Sequence, residues 1–164
     1  LLRRLFLVDE QQPWHSNQLS RLVKSPKLHV GDTGLGAALL TEDAGSLYED
    51  RMLYGQFLET FVYQELKKQA IIHEVEPKLL HYRDKDRYEV DIVLQFGGRR
   101  LGGVEVKASS TVRESDFRGL RKLASVTGAA FKAGVVLYDG EHTLSFGDRM
   151  FAVPIGSLWR RPGA

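Results

Sequence analysis

Residues 89–109 read EVDIVLQFGGRRLGGVEVKAS, and the apolar runs IVLQF and VEV within them belong in a buried sheet. Glu89, Asp91, Glu105 and Lys107 are threaded through the same segments at every second position. Side chains of a strand alternate between its faces, so Glu89 shares a face with Asp91 and Val93, and Glu105 shares one with Lys107. A hairpin whose paired residue numbers sum to an even value sets Asp91 opposite Glu105 or Lys107, whereas an odd sum sets it against Val106 on the wrong face. The even register demands a loop of odd length, with a glycine at positive φ among Gly97, Gly98, Gly102 and Gly103. Two carboxylates about 5 Å apart repel by roughly 3 kcal/mol at an effective dielectric near 20. Such a pair needs a cation or keeps a proton. Lys107 supplies one positive charge, and a hard divalent ion coordinated by oxygen would supply two. The competing reading is ordinary alternation, with every charge on a solvated outer face. Against it, Ile92, Val93 and Leu94 on one strand and Val104, Val106 and Ala108 on the other flank the charges with apolar groups on both faces. A helix at each end of this strand block must also pack on the sheet, and a sheet covered on both faces shows polar groups only in a cleft.

The elements that must position these residues can be read by period. In RMLYGQFLETFVYQELKKQA, residues 51–70, the residues Leu53, Tyr54, Phe57, Leu58, Phe61, Val62 and Leu66 recur at intervals of three and four and predict an amphipathic helix. Glu59 and Glu65 sit at the margin of its stripe, and either one alone reads as a solvated flank carboxylate. Glu59 is the one expected to face the Asp91 and Glu105 pair, because Gly55 one turn earlier leaves the approach open. Strands are predicted at 78–83, 87–96 and 101–109, with DKD at 84–86 and GGRR at 97–100 as turns. Residues 114–128 predict a second helix closed by Gly128, followed by a strand at 132–140, one or two more strands and a terminal helical turn. Upstream, residues 1–31 predict a short helix or strand, with the polar stretch DEQQPWHSNQ reading as a loop around Pro13. Asp32 is an N-cap for TGLGAALL, with a catalytic role as the minor alternative. Residues 41–50 read as an acidic loop.

Bulk properties bound the function. With 164 residues, 43% of them hydrophobic and 27% charged, the chain suffices for one domain with a sizeable core and a short appendage. A formal charge of +2 permits a polyanionic partner without requiring one. No cysteine is present, so disulfides and thiolate zinc sites are excluded, and His15, His29, His73, His81 and His142 show no HExxH spacing. No apolar run approaches the roughly 18 residues of a membrane span, and no signal peptide opens the chain, so a soluble, cytoplasmic protein without membrane contact is expected. The opening LLRRLFLVDE, which has no methionine and begins within an apolar pattern, reads as a piece of a longer protein.

EVD followed at hairpin distance by EVK, preceded by a helix bearing a Glu and followed by a helix and a strand, resembles the PD-(D/E)xK nuclease superfamily. More narrowly, the chain is similar to the C-terminal domain that follows a AAA+-type ATPase module in a large bacterial and archaeal family of uncharacterised ATPases. The matching stretches are RLVKSPKLHVGDTGL at 21–35, GQFLETFVYQEL at 55–66, YRDKDRYEVDIVL at 82–94 and GVEVKAS at 103–109. One departure, LHVGD, replaces a tyrosine and a larger apolar residue and touches packing. The resemblance implies an α/β restriction endonuclease-like fold with an αβββαβ core and a mixed central sheet flanked by helices. It also implies an N-terminal extension and connector over 1–50 and a nuclease-like domain over 51–164. Carried over by position, Asp91 and Glu105 would ligate Mg²⁺ or Mn²⁺ with the carbonyl of Val106, Glu59 would complete the set, and Lys107 would orient or help deprotonate the attacking water. Glu89 would be an outer group or a solvated strand end. Arg83, Arg113, Arg118, Arg121 and Lys122 would meet a DNA backbone, although lone arginines on a helix are usually soluble surface. The implied partners are DNA and an ATPase module in the same chain. Rival expectations are a nuclease-fold domain that no longer cuts and serves as a DNA-binding or docking module, and a plain interaction domain that regulates the ATPase.

Overall fold

Ile92 and Val93 are adjacent in sequence and both fully buried, so they need cover on opposite faces of their strand. The structure, a computed structural model, describes residues 1–16, 25–97 and 100–160, and within them it supplies a layer for each. The strands β1 (Val8–Pro13), β2 (Lys27–Val30), β3 (Lys78–Arg83), β4 (Glu89–Phe96), β5 (Arg100–Lys107), β6 (Phe131–Tyr138), β7 (Leu144–Ser145) and β8 (Met150–Pro154) form one mixed sheet. Their order is β2-β1-β3-β4-β5-β6-β8-β7. The helices are α1 (Thr33–Leu39), α2 (Ala44–Glu49), α3 (Arg51–Ile71) and α4 (Arg118–Thr127). α3 covers one face, where Val62 and Tyr63 pack on Ile92, Val104 and Leu137. α4 covers the other, where Phe117, Leu120 and Leu123 pack on Val90, Val93, Phe131 and Val136. Burying a side chain of this kind contributes about 1.5–3 kcal/mol. The protein is therefore a mixed α/β domain with helices on both faces of its sheet. Among the described residues no helix is long and apolar enough to cross a membrane.

The central hairpin keeps the even register, pairing Ile92 with Val104, Val93 with Gly103 and Phe96 with Arg100. Of the turn glycines proposed for the odd loop, Gly97 takes the positive φ, 54°, while Gly98 lies outside the described residues. α4 approaches β4 closely because Gly119 has no side chain: a Cβ there would lie 1.7 Å from the Glu89 carbonyl oxygen. Gly128 ends α4 at φ 55°, as its sequence position suggests.

Three local readings are corrected. The stretch from Asp9 to Pro13 is strand, not loop; its inward polar side chains, Asp9 and Gln11, are held by partners on β2, β3, β4 and α3, while Glu10 and Gln12 face solvent. Residues 44–49 form a short helix instead of an acidic loop, with Asp43 accepting from the Gly45 and Ser46 N–H groups. The expected stripe of α3 is divided, because Val62 reaches the sheet while Phe57, Leu58 and Phe61 face a groove against α1 and α2.

Candidate functional site

The acidic residues meet where the sheet loses its regularity. Between β3 and β4 the pairing passes from Leu80–Val93 to Tyr82–Val90, so His81 alone stands against Asp91 and Ile92. This is a β-bulge, a device that re-aims a side chain. Val90 and Val93 both join the cluster beneath α4, whereas Ile92 joins the one beneath α3. Asp91 therefore does not share a face with Val93, as strict alternation predicts, and instead turns toward Lys27 and Glu59. On the other side, the β4–β5 ladder stops at Ile92–Val104. Asp91 and Glu105 would be the next pair, but the Asp91 carboxylate fills the gap, accepting from the Val106 N–H at 3.0 Å, and the Asp91 N–H faces the Glu105 carboxyl. The two acids meet in the gap between strands rather than across a continuous ladder.

The cation among them is Lys27, which the sequence reading did not select. Its ammonium lies 2.8 Å from Glu59 Oε1 and 3.2 Å from Asp91 Oδ1. Burial works against the Lys27 charge, but Asp91 and Glu59 outweigh it and hold its pKa above the ordinary value. Burial and then Asp91 raise the Glu59 pKa despite Lys27. Glu105 is the extreme case, pushed up to about 9 by burial first and Asp91 second, with Oε2 enclosed and unpartnered. It keeps its proton at neutral pH. The signal for Lys27 was its place in KLHV, where Lys27 and His29 share one face of a strand and oppose Gln11 and Asp9.

That face is a polar network rather than an apolar one. Gln11, fully buried, donates both amide hydrogens, to Leu80 O at 3.0 Å and Asp91 O at 2.9 Å. Its Oε1 must therefore accept, which places the proton of His29 on Nε2, 3.1 Å away, and leaves Nδ1 to accept from the Thr60 hydroxyl at 3.1 Å. The His29 ring stacks on Tyr63 with centroids 4.2 Å apart. Burial first and the Lys27 charge second push its pKa down to about 4. Further along the face, Asp9 accepts from Gln64 at 2.9 Å and Lys67 at 2.7 Å. Gln11 thus braces the backbone of Asp91 from the strand side, as Val106 braces its carboxylate.

The remaining predicted residues go elsewhere. Lys107 pairs with Asp116 at 2.7 Å. Burial opposes the Asp116 charge, yet Lys107 and the Arg113 N–H hold its pKa below the ordinary value. Two residues beyond Glu105, Lys107 is close to the turn that precedes α4, and Asp116 captures it. Val106 offers the site its N–H. Glu65 accepts from Lys68 and Trp159 on the protein surface, and Glu89 pairs with Arg83 at 2.8 Å. The other basic candidates are engaged locally: Arg121 donates to Glu114 and to Phe146 O. Arg118 and Lys122 flank the Tyr88 ring at 5.4 and 5.3 Å, Lys122 also lies 3.9 Å from Asp84, and the Arg113 charge favours ionised Asp116, to which its backbone N–H donates. Asp32 caps α1 through the Leu35 N–H at 2.7 Å.

Among the described residues no group of three or more His, Asp or Glu side chains stands ready to hold a metal ion, and an ammonium bridges Glu59 and Asp91. The chemistry nonetheless fits a cation: oxygens of Glu59 and Asp91, from a helix and a strand, converge on one positive charge, and Glu105 beside Asp91 holds an enclosed oxygen with no partner.

Residues 54–158 match the model of a domain of unknown function, DUF4143, and residues 1–46 match a second domain of unknown function, DUF8612. Uncharacterised proteins of Mycobacterium bovis and Mycobacterium tuberculosis are each 30% identical to the chain over 152 residues, which cover 93% of it and 32% of the relative. The chain spans about a third of the length of these curated relatives.

Proposed function

The chain belongs to the DUF4143 family, and from that premise we propose that it is a nuclease-like domain that hydrolyses DNA phosphodiester bonds at the Asp91 and Glu105 site, working beside an ATPase module of the same full-length protein. The observation that carries this reading is the bridging of Glu59, from a helix, and Asp91, from a strand, by a single positive charge, with the enclosed Glu105 carboxyl of the next strand beside the Asp91 N–H. It is supported by the resemblance of EVD and EVK to the PD-(D/E)xK pattern. Asp91 and Glu105, with Glu59, would hold Mg²⁺ or Mn²⁺. When bound, such an ion supplies a Lewis acid that acidifies water and offsets charge on the phosphate. The chain's own residues do the positioning. Val106 fixes the Asp91 carboxylate, Gln11 fixes its carbonyl, and the bulge aims it. The lysine set to neutralise charge on a phosphate oxygen is Lys27, since Lys107 is held by Asp116. A polyanion would approach through local replacement of the pairs that now hold Arg83, Arg121 and Lys122.

A second reading, a nuclease-fold module that binds DNA or docks the ATPase without cutting, draws on the same ammonium: Lys27 already balances Glu59 and Asp91. Supercoiled plasmid incubated with the protein and Mg²⁺ or Mn²⁺ separates the two. The hydrolase reading expects nicked circles from the wild type and none from Asp91→Asn. DNA binding with intact plasmid in every cation would transfer the assignment to the second reading.

A further inference from the structure

The ammonium of Lys27 sits where the hydrolase reading needs a metal ion, and we infer that Lys27 is a built-in counter-ion that competes with a divalent cation for Glu59 and Asp91 and must leave before the site loads. The inference rests on that reading for the identity of the cation, but not on cleavage. Its first support is geometry: one ammonium contacts an oxygen of Glu59 and an oxygen of Asp91, at 2.8 and 3.2 Å. A divalent ion sharing those oxygens would stand within a few ångströms of the ammonium, and the two cations would repel. Lys27 has the means to move. It opens β2, an edge strand, which among the described residues pairs with β1 alone. A cavity of about 330 Å³, lined by Lys27, His29, Gln56, Phe57, Glu59 and Thr60, opens beside it. The lysine stem is long and flexible.

The neighbours stay in place while it moves. His29, two residues on, is held by Gln11, Thr60 and Tyr63. Asp91 keeps its Val106 and Gln11 bonds without the lysine. Only the ammonium is exchangeable. Withdrawn into the cavity, it would remain beside the site as a cation for an incoming phosphate, so that loading the metal and exposing a phosphate contact become one event.

Mn²⁺ alone is the probe, and the full chain is the protein. In the wild type, reductive methylation of Lys27, followed by mass spectrometry, should be slow without Mn²⁺ and accelerate at least about fivefold at saturating Mn²⁺ as the ion pair breaks. The exposed Lys85 should show no change. A Lys27 rate that is unchanged or lower at saturating Mn²⁺ overturns the inference. Lys27→Met should bind Mn²⁺ about tenfold tighter than the wild type in a spectroscopic titration, and Lys27→Met/Asp91→Asn should lose that gain. A folded Lys27→Met with wild-type affinity overturns it too, as does the absence of Mn²⁺ binding in both proteins. Should Lys27→Met fail to fold, the methylation result on the wild type decides. Plasmid cleavage is scored separately: Mn²⁺-dependent release of Lys27 with intact plasmid retains the counter-ion and removes the hydrolase, whereas cleavage with an unaffected Lys27 does the reverse.

Discussion

The two faces of the sheet are held by different forces. Beneath α4 the contact is apolar: Phe117, Leu120 and Leu123 are fully buried on Val90, Val93 and Val136. Beneath α3, the portion over β1 and β2 is built from Asp9, Gln11, Lys27 and His29 meeting Glu59, Thr60, Gln64 and Lys67. An apolar face tolerates local change in proportion to the volume removed. A buried polar face is conditional, because each group depends on a particular partner and is costly when that partner goes. The site lies at the border of the two, where the bulge moves Asp91 from the apolar register into the polar network.

The comparison is broken most severely on the apolar side. Phe117→Ala should cost about 3–5 kcal/mol by denaturant unfolding, since the ring is fully buried and stacked on Phe146. A loss under about 1 kcal/mol would mean that α4 is not the stabilising layer. Gln11→Leu conserves bulk but strips partners from Leu80 O, Asp91 O and His29 Nε2. We expect a loss of about 2–3 kcal/mol, and a neutral outcome would show that the network is ornamental.

The smallest effect is one of slope. The folded pKa of Glu105, about 9, lies above the ordinary 4.5. The native state therefore holds a proton that the unfolded chain has lost, and stability falls as pH rises through that window. His29 acts in the opposite sense. Lowered from 6.5 to about 4, it takes stability away as pH falls between those values and is silent above them. Glu105→Gln should therefore flatten the decline between pH 6.5 and 9, followed by unfolding at fixed denaturant, and steepen the acid limb below pH 6.5, where Glu105 no longer offsets His29. The same alkaline slope in both proteins would show that Glu105 is already ionised in the fold.

The local chemistry of the chain determined its elements. The spacing of Phe117, Leu120, Leu123 and Ala124 defines α4, Gly128 ends it, Gly97 turns the hairpin, and the even register follows from which residues the two strands can bury together. EVD and EVK also marked Asp91 and Glu105, because carboxylates inside apolar strands are too costly to be incidental. What period and spacing could not reach were the partners. A bulge at Asp91 costs nothing visible in sequence, since it depends on how β3 pairs with β4. Lys27 reaches Asp91 across a separation of 64 residues, from a strand joined to the sheet through β1, whose polar composition reads as a loop. Lys107 had the right spacing and was taken by Asp116. Alternation assigns a side chain to a face, but only the packed sheet decides which charge it meets, because opposite charges pair by distance in space and not along the chain.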